Sequence, residues 1–481
     1  MDSNKNSSQQ ENQAKNKIIK TGIIALVLGI LIGFFIPRPQ AKTASNTAVK
    51  SSSKQKSEYV DSVKELIKSK YYQPVDEKKL DNGSIKGMLD SLDDPYTTYL
   101  DKKEAQSLTD TISSSIVGIG ITVLEKNKMI VIDSVLDGTP AKKSGLKAND
   151  VIIKVDGKSI VGKPAAKATK LIRGKKGTSV KITVKRGDHE ANFKMERDTI
   201  PIETVKHKML DKNIGYLDVS TFSSPTTDEF KKSIKDLRKS GAKKLVVDMR
   251  GNPGGELQQA LSLSSMFLKD GQPIMQVQGR QKADLAVYRA SKKLDGGFKI
   301  TEPTVVLTDG DSASAAEIFT AALKNNKIKV VGKKTFGKGT VQRVVDLPDD
   351  AELKMTVAKW LTPDGTWINH KGIKPDYSVD YPKYLNMVFN EIKTPLKVGD
   401  VSSNVKVFQV GLTALGMHPG NEKGIFDEAT ENETKNFQNQ RKINVNGTID
   451  ESTIQEMIRA LRDLSKQQDP MQQKAVEILN N

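Results

Sequence analysis

Residues 304–323 read TVVLTDGDSASAAEIFTAAL, and this stretch decides the fold of the central part of the chain. Its first residues, Thr304 to Leu307, form a short apolar run typical of a buried strand, and a polar turn follows. From Ser314 to Leu323 the pattern is typical of a helix. A strand that leads through a turn into a helix is the repeating unit of an α/β layer.

The same alternation extends on both sides of this stretch. Strands and helices follow one another from about residue 200 to residue 382, which predicts an α/β domain over residues 198–382. The other predicted strands are Ile214–Val219 and Leu245–Met249, and the other predicted helices are Thr227–Ser240 and Glu256–Phe267.

Three segments of this domain carry residues that the fold alone does not require. Ser314 begins a helix, where unpaired backbone N–H groups and the positive end of the dipole suit a developing oxyanion. Taken alone, Ser314 favours a helix cap, because Glu317 three residues later completes a capping box. The other two segments are rich in glycine, and their presence favours the interpretation of Ser314 as a nucleophile. The segments are DMRGNPGG at 248–255, DSASAAE at 311–317 and TFGKGTVQ at 335–342.

A serine nucleophile needs a base, and the sequence offers a lysine rather than a histidine. The neutral amine of Lys338 is the candidate, since no histidine stands in a triad-like setting. Lysine titrates near pH 10.4 in water, so burial must lower its pKa to about 7 to 8 for this role. We therefore expect Lys338 to be buried. An oxyanion hole is predicted from the turn at Gly254 and Gly255 together with the N–H of Ala315.

In residues 113–197 the sequence pattern changes to short predicted strands separated by turn signals. The module resembles a PDZ domain, and the resemblance makes Gly118, Ile119, Gly120 and Ile121 the loop that binds the carboxylate of a substrate tail. In such a domain a peptide C-terminus adds as a strand to a sheet edge, and backbone N–H groups of the glycine-containing loop hold its carboxylate. The resemblance makes Pro140 the start of a short helix and Ala165–Ile172 the helix of the groove.

Together, the catalytic segments and this module resemble the carboxyl-terminal processing, or tail-specific, proteases. The resemblance covers about 320 residues, up to GIKPD at 372–376. It implies a serine endopeptidase that recognises C-terminal tails of proteins, without metal or cofactor. It also implies that Gln342 hydrogen-bonds and orients Lys338, and that paired N-terminal helices dimerise. Some members carry an aspartate as a third relay residue where this chain has Asn325, in a predicted loop.

An apolar run near the N-terminus predicts where the protein resides. Residues 18–36 read IIKTGIIALVLGILIGFFI, about long enough to span a bilayer as one helix. Lysines precede the run, so residues 1–17 are expected in the cytoplasm and the protease outside the cell. A cleaved signal peptide is the alternative, but its candidate cleavage site at residues 41–44 is poor because the prolines Pro37 and Pro39 intervene. We therefore expect a single-pass signal-anchor in the cell membrane.

Two further regions complete the chain. Residues 37–57 are rich in small and polar side chains and predict a solvated linker, and residues 58–112 predict an N-terminal helical region. Residues 396–465 predict a small helical module that resembles a peptidoglycan-binding domain and would dock the enzyme to the cell wall. The alternative for this module is a generic helical appendage.

Composition excludes several classes of function. The chain has no cysteine, so disulfides, thiolate metal sites and a cysteine nucleophile are excluded, and its four histidines form no zinc motif. The net charge of +18 comes from scattered lysines without interleaved aromatics, so we expect no nucleic-acid binding. The sequence thus predicts a multidomain α/β protein whose PDZ module is inserted in a Ser-Lys protease body. Two alternatives are an inactive PDZ scaffold bound to the wall, and a wall hydrolase, for which no catalytic carboxylate pair is found.

Overall fold

A computed structural model describes residues 52–112, 115–126 and 129–481. The predicted cytoplasmic tail at 1–17 and anchor at 18–36 lie outside the described residues, as does most of the predicted linker. Within the described ranges, no helix combines the length and the apolar character needed to cross a membrane.

The N-terminal region contains the two predicted amphipathic helices. The first helix begins at Ser52, inside the predicted linker, where lysine and glutamine are good helix formers. The second begins after Asp76, whose carboxylate accepts the N–H of Lys79 and caps the helix. The elements are α1 (Ser52–Lys70), α2 (Glu77–Asp90), β1 (Thr98–Leu100) and α3 (Lys102–Ile112).

The next module has the architecture expected of a PDZ domain. Its sheet has the order β3-β4-β5-β7-β8, so β3 is an edge strand, with β6 beside β5 and helix α5 against β3. Strands β2 and β9 enter and leave the module and pair antiparallel with each other, which makes the module an insertion on a two-stranded stalk. The elements are β2 (Ser115–Gly118), β3 (Ile121–Lys126), β4 (Met129–Val135), α4 (Pro140–Ser144), β5 (Val151–Val155), β6 (Lys158–Ser159), α5 (Ala165–Ile172), β7 (Ser179–Arg186), β8 (His189–Glu196) and β9 (Asp198–Pro201).

The body that follows is built on two sheets. The central sheet has the order β10-β11-β12-β15-β16-β19 and is parallel except for the β10-β11 pair. The second sheet is antiparallel, and β1 of the N-terminal region joins it beside β18. The elements are β10 (Val205–Asp211), β11 (Ile214–Val219), α6 (Thr226–Lys239), β12 (Lys244–Asp248), α7 (Leu257–Phe267), β13 (Pro273–Gln278), β14 (Leu285–Arg289), α8 (Lys292–Asp295), β15 (Thr304–Thr308), α9 (Ala315–Asn325), β16 (Lys329–Gly332), β17 (Thr340–Asp346), β18 (Glu352–Leu361) and β19 (Tyr377–Ser378).

The C-terminal part contains one helix that the sequence argument did not anticipate. Three helices pack around their own apolar core, as expected of a small helical module. The fourth leaves that module and packs on the central sheet of the body. The predicted end of the helical module at residue 465 lies close to the true boundary. The third helix ends at Gln467, and the fourth, which packs on a different partner, begins at Pro470. The elements are α10 (Ser403–Ala414), α11 (Glu428–Gln440), α12 (Glu451–Gln467) and α13 (Pro470–Asn480).

Candidate active site

Ser314 lies in the turn between the buried strand β15 and helix α9. Its backbone has φ 53° and ψ −113°, a conformation that costs a non-glycine residue on the order of 1–3 kcal/mol. The residue is buried, and Gly254 lies so close that a Cβ there would stand 2.9 Å from the Cβ of Ser314. The helix begins at Ala315 rather than at Ser314, so the serine stands at the cap position.

Glu317 joins the serine turn to the lysine segment. Its Oε2 accepts the N–H of Ser314 at 2.9 Å and the N–H of Lys338 at 2.8 Å. Its Oε1 accepts the hydroxyl of Thr335 at 2.5 Å and the N–H of Gly337 at 2.7 Å. Burial raises the pKa of the Glu317 carboxyl. Three of the four neighbours are backbone N–H groups, which can only donate, whereas the Thr335 hydroxyl can donate or accept. The three N–H donors favour the ionised form.

The shared carboxylate places the two predicted catalytic residues side by side. The backbone nitrogens of Ser314 and Lys338 are less than about 6 Å apart, because both lie within hydrogen-bond distance of the same oxygen. Local spacing identified Glu317 only as part of a helix cap. Its other donors come from residues about twenty positions later, which no local pattern reveals.

Lys338 is as deeply buried as the sequence argument requires, with 2% of its surface exposed. Burial lowers the pKa of Lys338 to about 7, and the charge of Lys354 adds to this effect, while Glu317 and Asp94 oppose it. Within the described ranges, Nζ has no hydrogen-bond partner. It faces the ring of Tyr96, whose centroid is 4.7 Å away.

The pocket of Lys338 includes the segment before β1. Asp94 accepts hydrogen bonds from the N–H of Tyr96 and the hydroxyl of Thr97. Thr97 accepts the N–H of Thr356 on β18, which fastens the segment to the protease body. The N-terminal region therefore supplies part of the wall around the amine.

Gln342 is buried beside this pocket, but the predicted hydrogen bond to Lys338 is not formed. Its Nε2 donates to Thr340 at 2.9 Å and to Thr356 at 3.1 Å, while its Oε1 has no partner within the described ranges. The buried amine of Lys338 and the buried amide oxygen of Gln342 are thus both without partners. As donor and acceptor they are complementary, so the orienting role of Gln342 stays a prediction.

The predicted oxyanion donors differ in their availability. The N–H of Gly254 already donates to Oδ1 of Asn252 at 2.8 Å, so it is engaged within its own turn. The N–H groups of Gly255 and Ala315 have no acceptor in the described part of the chain. A side chain is not tolerated at Gly255, because a Cβ would stand 1.8 Å from the carbonyl oxygen of Phe222. Gly255 and Ala315 therefore fit the donor role better than Gly254.

Asn325 lies far from the serine. It is the exposed last residue of α9, not a loop residue, and an eleven-residue helix separates it from Ser314 by about 15 Å. Its position is incompatible with direct contact to the dyad.

Within residues 52–112, 115–126 and 129–481, no group of acidic and histidine side chains could hold a metal ion.

The PDZ module presents the predicted tail-binding stretch next to its edge strand. Gly118 ends β2 and Ile121 begins β3, while Ile119 and Gly120 connect them. The carbonyls of Ile119 and Gly120 accept hydrogen bonds, but their N–H groups have no acceptor in the described ranges. Gly120 has φ 85°, and a Cβ there would stand 2.3 Å from that of Thr139. A glycine is therefore required at this position.

Sequence profiles of known families match four parts of the chain. Residues 213–379 match peptidase family S41, and residues 117–196 match the PDZ domain. Residues 36–104 match the N-terminal domain of the activating protease CtpB, and residues 401–457 match the putative peptidoglycan binding domain. The last helix, α13, lies outside all four matches.

Similar proteins extend over most of the chain. The carboxy-terminal processing protease CtpA of Bacillus subtilis (strain 168) is 43% identical over 417 residues, which cover 86% of this chain and 88% of that protein. A probable CtpA-like serine protease of Staphylococcus aureus (strain COL) is 38% identical over 423 residues, covering 87% and 84%. Among solved structures, the photosystem II D1 C-terminal processing protease is 27% identical with a TM-score of 0.41, covering 69% of this chain and 94% of that one.

Replacing Glu317 by Gln tests the shared carboxylate. The amide keeps the volume but turns an NH₂ group toward donors, so at least one buried donor loses its acceptor. We expect the free energy of unfolding to decrease by about 1–3 kcal/mol. Peptide turnover should fall on the order of a hundredfold. Thermal unfolding and kcat on an unstructured peptide measure the two effects. Unchanged kcat in a folded Glu317→Gln enzyme would contradict a role of Glu317 in holding the serine turn and the lysine segment together.

The pH profile tests the buried amine. Lys338 accepts a proton only when neutral, so kcat/KM should rise with pH through about 7 and level off above it. Lys354→Met removes a positive charge that lowers the pKa of Lys338, so the midpoint should move to higher pH. Lys359→Met, on the same strand, is the matched control. A midpoint that is the same in all three enzymes would contradict the role of Lys354.

Proposed function

Because the chain belongs to the carboxy-terminal processing proteases of peptidase family S41, we propose that Ser314 is its nucleophile and Lys338 its general base. The protein is a serine-type peptidase with a PDZ domain. The observation that carries the residue assignment is the buried carboxylate of Glu317, which accepts the N–H groups of both residues. A buried lysine whose pKa is lowered to about 7 supports the role of base at neutral pH.

In the proposed mechanism, Lys338 takes the hydroxyl proton of Ser314 while Oγ attacks the carbonyl carbon of a peptide bond. The electron pair of the carbonyl moves to its oxygen, and the N–H groups of Gly255 and Ala315 stabilise this oxyanion. The intermediate collapses, the C–N bond breaks, and the protonated Lys338 gives its proton to the leaving amine. Lys338 then takes a proton from a water molecule as the water oxygen attacks the acyl carbon. The ester bond to Ser314 breaks, and Oγ takes the proton back from Lys338.

Substrate recognition is proposed to begin in the PDZ domain. Strand β3 is an edge strand that α5 flanks, so an extended tail can add beside it. The two N–H groups of Ile119 and Gly120 then receive the terminal carboxylate. Ile121 and Val123 pack partly exposed at the margin of the domain core, which favours apolar tail residues.

The location at the cell exterior is a proposal from residues 18–36 and the lysines before them. A wall-binding role for the C-terminal module agrees with its match to the putative peptidoglycan binding domain. Cell fractionation and the accessibility of the protease domain to added protease in intact cells check this assignment. Release of the mature protein into the medium would favour the cleaved signal peptide.

A homodimer is also proposed. Helix α1 exposes an apolar stripe that includes Val60, Val63 and Leu66, with exposed fractions of 51%, 42% and 59%, and a second copy of the chain could cover it. Sedimentation of the wild type and of Leu66→Glu measures the assembly state. A monomeric wild type at micromolar concentration would refute the dimer.

The dyad is tested with single variants on an unstructured peptide that has an apolar C-terminus. Ser314→Ala and Lys338→Ala should each lower turnover on the order of 10⁴-fold or more while leaving peptide binding intact. Ser240→Ala and Lys239→Ala, at the exposed end of α6, are the matched controls and should cleave normally. If both dyad variants retain full activity, the assignment is wrong. If the wild type binds tails but never cuts, the scaffold interpretation holds.

Tail recognition is tested by blocking the carboxylate of the substrate. Amidation of the C-terminus removes the negative charge and replaces one acceptor oxygen by an NH₂ donor, at the group that the Ile119 and Gly120 N–H groups would bind. Charge-assisted hydrogen bonds contribute about 1.5–3 kcal/mol, so KM should rise about tenfold or more for the amide. An equal KM for the two peptides would show that the carboxylate is not read.

A further inference from the structure

The last helix of the chain, α13, is part of the protease body. Its apolar side chains Met471, Ala475 and Leu479 pack on residues of the central strands, and Met471 and Ala475 are completely buried. Helices α7 and α9 cover the opposite face of the same sheet. A parallel sheet needs both faces covered, so α13 completes the layer although residues 379–469 separate it from the last strand in sequence.

Asp469, immediately before α13, contacts the chain just after the end of strand β12. Its two oxygens accept hydrogen bonds from the guanidinium of Arg250 at 3.0 and 2.6 Å, which makes the ion pair bidentate. Arg250 also pairs with Asp248 at 2.6 Å, and both partners of the Asp469 pair are largely buried. Arg250 is therefore held between two carboxylates, one from its own turn and one from the end of the chain.

Arg250 immediately precedes the turn that carries the proposed oxyanion donor. The next N–H along the chain, that of Gly251, donates to Asp309 at 3.0 Å. Asp309 also accepts the N–H groups of Asp311 and Ser312, in the loop that leads to Ser314. The glycine turn and the serine loop thus share one carboxylate, beside the arginine that Asp469 holds.

We propose that Asp469 is a positioning residue of the protease: through Arg250 it holds the turn that presents the N–H of Gly255 to the scissile carbonyl. The competing explanation is that Asp469 only caps α13, since it also accepts the N–H groups of Met471 and Gln472. The inference rests on the proposed dyad and oxyanion hole.

Asp469→Asn separates the two explanations, because asparagine caps helices as well as aspartate but forms no ion pair. The matched control is Asp450→Asn, at the cap of α12, where the carboxylate accepts the N–H of Thr453 within the C-terminal module. We expect kcat to fall about tenfold or more in Asp469→Asn with KM nearly unchanged, and no change in Asp450→Asn. Equal kcat in the two variants would overturn the proposal.

Leu479→Ala distinguishes positioning from general loosening of α13. It shortens a buried side chain at the far end of the helix and should lower the melting temperature without lowering kcat of the folded enzyme. If Leu479→Ala lowers kcat as much as Asp469→Asn does at equal folded fraction, the positioning role is refuted. Activity that survives in Ser314→Ala would refute the dyad instead, so the two failures are distinguishable.

Discussion

The buried carboxylate of Glu317 is the interaction on which the active site depends. An ionised group in the interior is costly unless every oxygen is hydrogen-bonded, and here four donors surround it. Those donors come from the serine turn and from the lysine segment, so neither can shift without leaving the charge under-satisfied. The carboxylate therefore caps helix α9 and also links two distant parts of the chain.

The amine of Lys338 has the opposite environment. Its backbone N–H is hydrogen-bonded, but its Nζ has no partner in the described part of the chain and faces the ring of Tyr96. Desolvation without a compensating hydrogen bond disfavours the charged amine. The same fold thus stabilises a negative charge beside the backbone of Ser314 and Lys338 and a neutral amine at the Lys338 side chain. Because Tyr96 belongs to the N-terminal region, that region is part of the catalytic body.

The domain order of the chain does not match its spatial organisation. The PDZ module is inserted between β1 and the body, while β1 itself pairs with β18, about 250 residues later. The helical C-terminal module is likewise followed by α13, which returns to cover the central sheet. The body is therefore assembled from three separated pieces of chain, and each binding module lies between two of them. Such an arrangement ties both modules to the protease at two points.

Features that depend on neighbouring residues could be predicted from the sequence. The alternation of strands and helices followed from periodicity and turn signals, and the burial of Lys338 followed from the chemistry of a neutral base. The helix Ala165–Ile172 followed from the resemblance to a PDZ domain. Contacts across long separations became visible in the folded chain: Glu317 binds both the Ser314 turn and the Lys338 segment, Asn325 lies far from Ser314, and the last helix completes the sheet. It also decided how the available hydrogen bonds are distributed, with the N–H of Gly254 engaged and no bond between Gln342 and Lys338. Period and spacing describe one element at a time, whereas these contacts depend on how separate elements pack and compete for the same donors and acceptors.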